Sequence, residues 1–382
     1  MESKKRGRKP KGEPAAKELK NTPLGEIISS SINKNKFDLD NYKKSKFLDQ
    51  SSKFKKQRWL PFSKALQDTL SIPGIPLGHV FVTRGGSDTG KTTLLVEAAV
   101  EAQKQGILPV FIITEMKWDF AHAQKMGLQC EAIPDDETGE LINYKGFFLY
   151  VDRSSLNSIE DVSTFIIDTL NEQKNGKLPF DLLFLWDSVG SIPCNMSIEQ
   201  GKNNPMWNAG AMATQFGNFV NQQFPLSRKE KYPYTNTLLV INKTGVQPAL
   251  TVMSQPKMTN KGGNTMYWDA TIVTTFGNVT NSGTSKISVQ HEGKKVEFAK
   301  RTKIAIDKIH ADLGIATTGT VIVTPHGFIP DTPQAIKDYK KKHAHEWFNE
   351  KVDVSKLIQI EDNSEWEESK NISPTIEVDN EE

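Results

Sequence analysis

The chain has 382 residues, 37% hydrophobic and 25% charged, with a formal net charge of +2, the composition of an ordinary soluble globular protein able to bury one large domain or two small ones. No run of about 18 apolar residues occurs, which argues against a spanning helix, and Met1-Glu-Ser-Lys-Lys-Arg-Gly-Arg-Lys-Pro10 lacks the apolar centre of a signal peptide; no membrane partner is expected. A cytoplasmic protein is expected, with Cys130 and Cys194 as free, reduced thiols.

The small net charge hides an asymmetry. Residues 1–60 are expected to form a basic, partly disordered arm: Lys4, Lys5, Arg6, Arg8 and Lys9 are followed by a second basic cluster that runs from Lys43 to Lys64. Scattered apolar anchors such as Leu24, Ile27, Phe37 and Leu48 suit docking on a neighbouring subunit better than an independent core. At the other end, Glu361 to Glu382 holds nine carboxylates and one lysine, Lys370, the pattern of a solvated acidic tail.

Between the ends, short apolar runs alternate with helical patterns. A strand over 79–83 leads into Gly85-Gly86-Ser87-Asp88-Thr89-Gly90-Lys91-Thr92-Thr93 and a helix to Gly106. Next come a strand over 108–114, a helix over 119–127, and a strand over 147–151. Helix 159–173 precedes strand 182–186, and helix 209–223 precedes strand 238–241. Near-continuous apolar strands interleaved with amphipathic helices predict a mostly parallel sheet covered on both faces. A β-rich part follows, with strands over 270–276, 287–291, 296–298, 304–309 and 319–324, then a helix over 332–348. The expected division is an arm to residue 60, an α/β core over 61–330, and a helix with acidic tail over 331–382.

Gly85 to Thr92 fits the phosphate-binding pattern G-x-x-x-x-G-K-[ST], placed between a strand and a helix as that motif requires. The glycines let backbone N–H groups curl towards a phosphate at a helix N-terminus. Lys91 would reach the β- and γ-phosphates, and Thr92 offers a hydroxyl to Mg2+. Asp187, ending the apolar run 182–186, is the expected second Mg2+ ligand, held through water. Glu115, after strand 108–114, is the expected base that orients water at a neighbouring strand end. ATP and Mg2+ are therefore the expected ligands.

Together these segments resemble the RecA family of recombinases over residues 70–330. The resemblance implies a RecA-like P-loop ATPase core in which Gly85–Thr93 cradle the phosphates, Glu115 is catalytic, and Asp119 and His122 contact the adenine. Val240-Ile241-Asn242 resembles the strand ending in a γ-phosphate sensor, with Lys243 standing where the family has glutamine. Two lysines spaced i and i+2 reach the ATP of the next subunit in the family; here Lys308 is kept and Ile306 replaces its partner. Lys303, an odd number of residues away, is expected on the opposite face of its strand. Two long polar stretches, 193–208 and 244–265, stand where the family has its DNA-binding loops. They supply Met196, Lys202, Trp207, Lys257, Lys261, Gly262, Gly263 and Asn264 as candidate DNA contacts.

The resemblance implies a DNA-dependent ATPase that forms helical filaments on single-stranded DNA, pairs it with a duplex, and works with a loader and a single-strand-binding protein. The length, basic N-terminal region and acidic tail are most similar to the phage UvsX type. Two alternatives stay open: a ring-forming motor on the same core, for which Arg301 is the candidate coupling arginine, and an ATP-binding filament that coats DNA with little hydrolysis.

Overall fold

The computed structural model describes residues 56–134, 138, 141–218, 232–247, 257–260, 264–279, 285–310, 315, 317–348 and 358–360. β1 (Trp59–Pro61), α1 (Lys64–Leu70) and β2 (Gly74–Pro76) form an entry unit, its strands paired antiparallel. The nucleotide half continues through β3 (Val80–Gly85), α2 (Lys91–Lys104), β4 (Leu108–Ile113), α3 (Phe120–Lys125), the hairpin of β5 (Cys130–Pro134) with β6 (Leu141–Gly146), and β7 (Leu149–Asp152). Then come α4 (Ile159–Lys174), β8 (Leu182–Asp187), α5 (Asn195–Glu199), α6 (Pro205–Asn218), β9 (Thr237–Gln247), β10 (Lys257–Asn260) and α7 (Thr265–Asp269). The last part holds β11 (Ile272–Asn278), β12 (Lys286–His291), β13 (Lys294–Ile309), β14 (Thr318–Thr324), β15 (Gly327–Pro330), α8 (Pro333–Phe348) and β16 (Ile358–Ile360).

Twelve strands share one sheet, whose main path runs β15-β14-β13-β11-β3-β9-β8-β4-β7. From β11 to β7 every ladder is parallel; from β11 to β15 every ladder is antiparallel. Every residue of β4 and β8 is buried, as a strand covered on both faces requires. Alternate side chains enter two separate cores. Phe111, Ile113, Leu183 and Leu185 join Leu66 of α1 and Leu94, Leu95 and Ala98 of α2. Val110, Ile112, Leu182, Phe184 and Trp186 join Val162 and Ile166 of α4 and Met212 and Phe216 of α6. The expected α/β architecture, helices on both faces and a β-rich C-terminal part, is the one observed. No helix among the described residues is long and apolar enough to cross a membrane.

Local chemistry fixes the helix starts. Ser158 caps α4, accepting from Asp161 N at 3.1 Å while the Asp161 carboxylate accepts from Ser158 N at 2.9 Å, a reciprocal cap that satisfies two otherwise orphaned N–H groups. Pro205 opens α6 at a position where a missing N–H costs nothing.

Three expectations are corrected. The stretch 193–208 is largely helical, because α5 forms within it and α6 begins at Pro205 rather than Ala209. The stretch 244–265 begins as sheet: β9 runs on to Gln247 and pairs with β10 in the register Lys257↔Gln247 to Asn260↔Thr244. Finally, 296–298 and 304–309 belong to one strand, β13, whose charged middle is tolerated because Arg301 is buried against Asp331 at 3.0 Å.

Candidate nucleotide-binding site

β3 leaves the sheet at Gly85, where φ is +149° and a Cβ would stand 2.0 Å from the Phe276 carbonyl oxygen. Only glycine fits that close approach. The loop closes at Gly90, the N-cap of α2, with φ +93° and space for a Cβ taken by Val323 and Phe328. At Gly86 nothing lies within 4 Å of a built Cβ, so the loop keeps an open mouth. Lys91 turns back into it, donating to Gly86 O and lying 3.3 Å from Thr89 Oγ1. Burial lowers the Lys91 pKa, opposed by the carboxylates of Asp187 and Glu115. A mostly buried ammonium held by neutral acceptors is a group that an anionic phosphate would satisfy better.

The next residue, Thr92, donates from Oγ1 to Asp187 Oδ2 at 2.8 Å. Burial pushes Asp187 up to about 6, with the Thr92 hydrogen bond pulling the other way. One hydroxyl and one carboxylate converging at the mouth of a phosphate loop form the hard oxygen donor set that Mg2+ takes. These residues therefore fit the metal expected with a nucleoside triphosphate.

The ends of β4 and β8 are zipped together: Thr114 N donates to Asp187 O at 2.8 Å and Thr114 Oγ1 to Ser188 O at 2.7 Å. This sets Glu115 beside the residues that follow β8. The Ser188 hydroxyl donates to Glu115 Oε1, Ser191 Oγ donates to the same oxygen at 3.1 Å, and Lys243 Nζ lies 3.0 Å away. Burial alone would raise the Glu115 pKa, but the hydrogen bonds from Ser188 and Lys243 outweigh it and hold the carboxylate below its usual range. Glu115 is thus ionised and fixed in orientation, as a water-orienting group requires.

Ser87, Asp88, Lys91, Thr92, Glu115, Lys117, Trp118, Asp187 and Lys243 line one cavity of about 110 Å³. The sequence reading missed Trp118, whose ring packs on Phe111 at 4.9 Å and Phe120 at 5.6 Å; its place just before Asp119 was the available signal. Asp119 caps α3, accepting from Ala121 N at 2.8 Å and His122 N at 3.2 Å, and His122 is half-buried on that helix. Asn242 is buried in β9 opposite Arg84, one residue before Lys243.

Other expected residues lie elsewhere. Lys308 Nζ donates to the carbonyls of Tyr267 at 2.9 Å and Trp268 at 2.6 Å on α7, away from this cavity's lining. The register of β13 against β11 shifts between Ile306 and Lys308, a bulge that reverses side-chain parity. Ile304 and Ile306 face the same core as Ile309, so Lys308 shares a face with Lys303, and the expectation of opposite faces is corrected. Arg301 is only 4% exposed and points inward to Asp331, which removes it as an interface arginine.

Of the candidate DNA contacts, Met196 is 53% exposed and Lys202 is exposed. Lys202 borders a depression of about 410 Å³ together with Arg153, Ser191, Ile198 and Asn208. Trp207 is half-buried against the core beneath α4 and α6. Asn264 is exposed at the start of α7, and Lys257 lies in β10. Lys261, Gly262 and Gly263 lie outside the described residues, as do residues 1–55 of the basic arm and the acidic tail from residue 361.

Comparison with known proteins agrees with this geometry. Residues 42–141 match the model of the RecA N-terminal domain. Protein RecA of Desulforapulum autotrophicum is 39% identical over 80 residues, which is 20% of this chain and 23% of that protein. Protein RecA of Wolbachia pipientis subsp. Culex pipiens is 38% identical over 80 residues, 20% of this chain and 22% of the relative. For protein RecA of Geobacter sulfurreducens the figures are 34% over 80 residues, 20% and 24%. The chain thus spans about a quarter of the length of the curated relatives it matches. The phosphate loop lies inside the matched region, so it is the nucleotide-binding part of the chain that is similar to the RecA N-terminal domain.

Proposed function

We propose that the chain is an ATP-dependent recombinase that assembles on single-stranded DNA, hydrolyses ATP in response to it, and pairs the strand with a homologous duplex. The observation that carries this reading is Ser191. Its hydroxyl reaches Glu115 in the nucleotide cavity at 3.1 Å, and the same residue borders the depression beside Lys202. A ligand seated in that depression has a one-residue route to the catalytic carboxylate.

The roles follow from position. Backbone N–H groups of Gly86 to Gly90 and the Lys91 ammonium bind the β- and γ-phosphates. Thr92 and Asp187 would hold Mg2+, which would supply positive charge against the phosphate oxygens. Glu115 orients water for in-line attack, and Lys243 responds to the γ-phosphate. Trp118, Asp119 and His122 form the base side of the site. Lys308 acts on the ATP of a neighbouring subunit in a helical filament. Met196, Lys202, Lys257, Lys261, Gly262, Gly263 and Asn264 line the DNA path, where lysines neutralise phosphates and methionines wedge between bases. Trp207 supports that path from its half-buried seat.

A phage UvsX-type protein, working in host cytoplasm with a loader and a single-strand-binding protein, is the specific form of this reading. The inward Arg301–Asp331 pair favours a filament over a ring motor that needs an exposed coupling arginine.

Steady-state ATP hydrolysis with and without single-stranded DNA tests the reading. Turnover stimulated by DNA and lost in both Lys91→Ala and Glu115→Gln is the expected result. Turnover indifferent to DNA would overturn it in favour of a motor or regulator answering to another partner.

A further inference from the structure

Outside the lining of the nucleotide cavity, two histidines and a glutamate meet between the β14–β15 turn and α8. His343 Nδ1 lies 2.7 Å from Glu346 Oε1, and His326 Nε2 lies 3.5 Å from Glu346 Oε2. The two imidazoles stack with centroids 3.8 Å apart. One ligand atom from each of the three residues falls within 4.8 Å of the others. We propose that His326, His343 and Glu346 form a site for one divalent transition-metal ion of the zinc class, which fastens α8 to the β14–β15 hairpin.

The donor chemistry selects the ion. Two imidazole nitrogens and one carboxylate oxygen suit zinc and its neighbours rather than Mg2+ or Ca2+, which prefer all-oxygen shells. Three protein ligands leave a fourth position for water, as in open zinc sites. His343 and Glu346 sit at i and i+3 on α8, so one turn of helix presents both to the same point.

The surroundings prepare the first histidine. His326 Nδ1 is 2.8 Å from the Tyr339 hydroxyl; when Nδ1–H donates there, the Nε2 lone pair is free and directed at Glu346. That is the second partner a metal-bound histidine ordinarily has. The turn itself is braced, with Thr324 Oγ1 donating to Gly327 O at 2.7 Å and accepting from His326 N at 3.1 Å. Burial and the neighbouring His343 both lower the His326 pKa. Lys125 and Lys342 add positive charge nearby and weaken cation binding, while Glu346 opposes them; His345 adds further positive charge beside Glu346 when protonated.

Pinning this turn matters to the fold because its flanking residues Val323 and Phe328 fill the space beside Gly90 of the phosphate loop. The proposal does not depend on the chain's enzymatic activity.

The test is titration of the chelator-stripped full chain with Co2+ alone, without nucleotide, followed by visible absorption and by displacement with Zn2+. One Co2+ per chain with four-coordinate ligand-field bands is expected. The bands should be lost in His326→Ala and Glu346→Gln, kept in His345→Gln on the same helix, and shifted to about tenfold higher Co2+ in Tyr339→Phe. Because His343 is buried, His343→Gln can fail to fold, and the more exposed Glu346→Gln carries the test in that case. Wild-type uptake that is unchanged in His326→Ala and Glu346→Gln, or no uptake at all, would overturn the site and leave a hydrogen-bonded histidine pair.

Discussion

Lys243 Nζ sits 3.0 Å from Glu115 Oε1, joining the end of β9 to the end of β4 across the mouth of the phosphate loop. The pair has two consequences. It helps keep Glu115 ionised, and it gives Lys243 a partner to leave when a more negative group arrives. In Lys243→Met the carboxylate keeps only the Ser188 and Ser191 hydroxyls, so its pKa rises. In the proposed role the ionised carboxylate is the active form, so the acid limb of the pH profile for ATP hydrolysis should move to higher pH, and loss of the Lys243 ammonium from the phosphate site should separately lower activity near pH 8 about tenfold or more. A profile with an unmoved acid limb would remove Lys243 from control of Glu115.

Asp187 makes the site costly to the protein without ligand. Its carboxyl is pushed from 3.8 up to about 6, so between those values the folded state holds a proton that the unfolded state has released. Stability therefore falls as pH rises through that window and stays lower above it. Asp187→Asn keeps an acceptor for Thr92 and removes the charge. The nucleotide-free variant should melt at higher temperature than wild type at pH 7.5, by at most about 3 kcal/mol, and match it below pH 4. The same variant should lose Mg2+-dependent hydrolysis. A lower melting temperature at pH 7.5 would show that Asp187 is stabilised by its surroundings rather than strained by them.

Glu97, on the far side of α2, behaves similarly for a structural reason. It accepts from Phe328 N at 2.8 Å, and burial raises its pKa from 4.5 to about 7. The protonated acid is the form that fits, and stability falls as pH climbs through 7. Glu97→Gln retains a carbonyl oxygen for Phe328 N and cannot ionise. Its stability should exceed wild type by up to about 3 kcal/mol at pH 8, with the difference vanishing below pH 4.5. Urea unfolding at the two pH values reads this directly.

The phosphate loop, Asp187 and Glu115 were legible in the sequence because each follows a short apolar strand, and parallel strands gather such ends at one edge of a sheet. The two cores were legible for the same reason, since β4 is apolar at every position and β8 at every position before Asp187. What stayed hidden depended on distant partners. A lysine at position 243 gives no sign of Glu115, 128 positions earlier in the chain but one hydrogen bond away. Strand parity along β13 fails at a single extra residue near Asp307, and no local pattern marks that bulge. The five residues of α5 are too few for helical periodicity to register. Arg301 read as an exposed strand charge because Asp331, its buried partner, lies beyond the next two strands.

Ser191 offers the sharpest separation of chemistry from signalling. Its hydroxyl donates to Glu115 Oε1 and lies 2.7 Å from Ser188 Oγ, while its carbonyl accepts from the Arg153 guanidinium at 3.2 Å. Ser188 and Lys243 still hold Glu115 when Ser191 is truncated, so the resting geometry of the base survives in Ser191→Ala. Movement of the segment from Ser191 to Lys202 then loses one route to the carboxylate. Nucleotide affinity and DNA-free turnover should stay near wild type while stimulation by single-stranded DNA falls about tenfold, the effect expected when a positioning contact outside the chemical step is lost. Ser191→Thr, which restores a hydroxyl, should recover most of the stimulation. Equal losses with and without DNA would make Ser191 part of the base's permanent support, and no loss in either would place the DNA signal on another path.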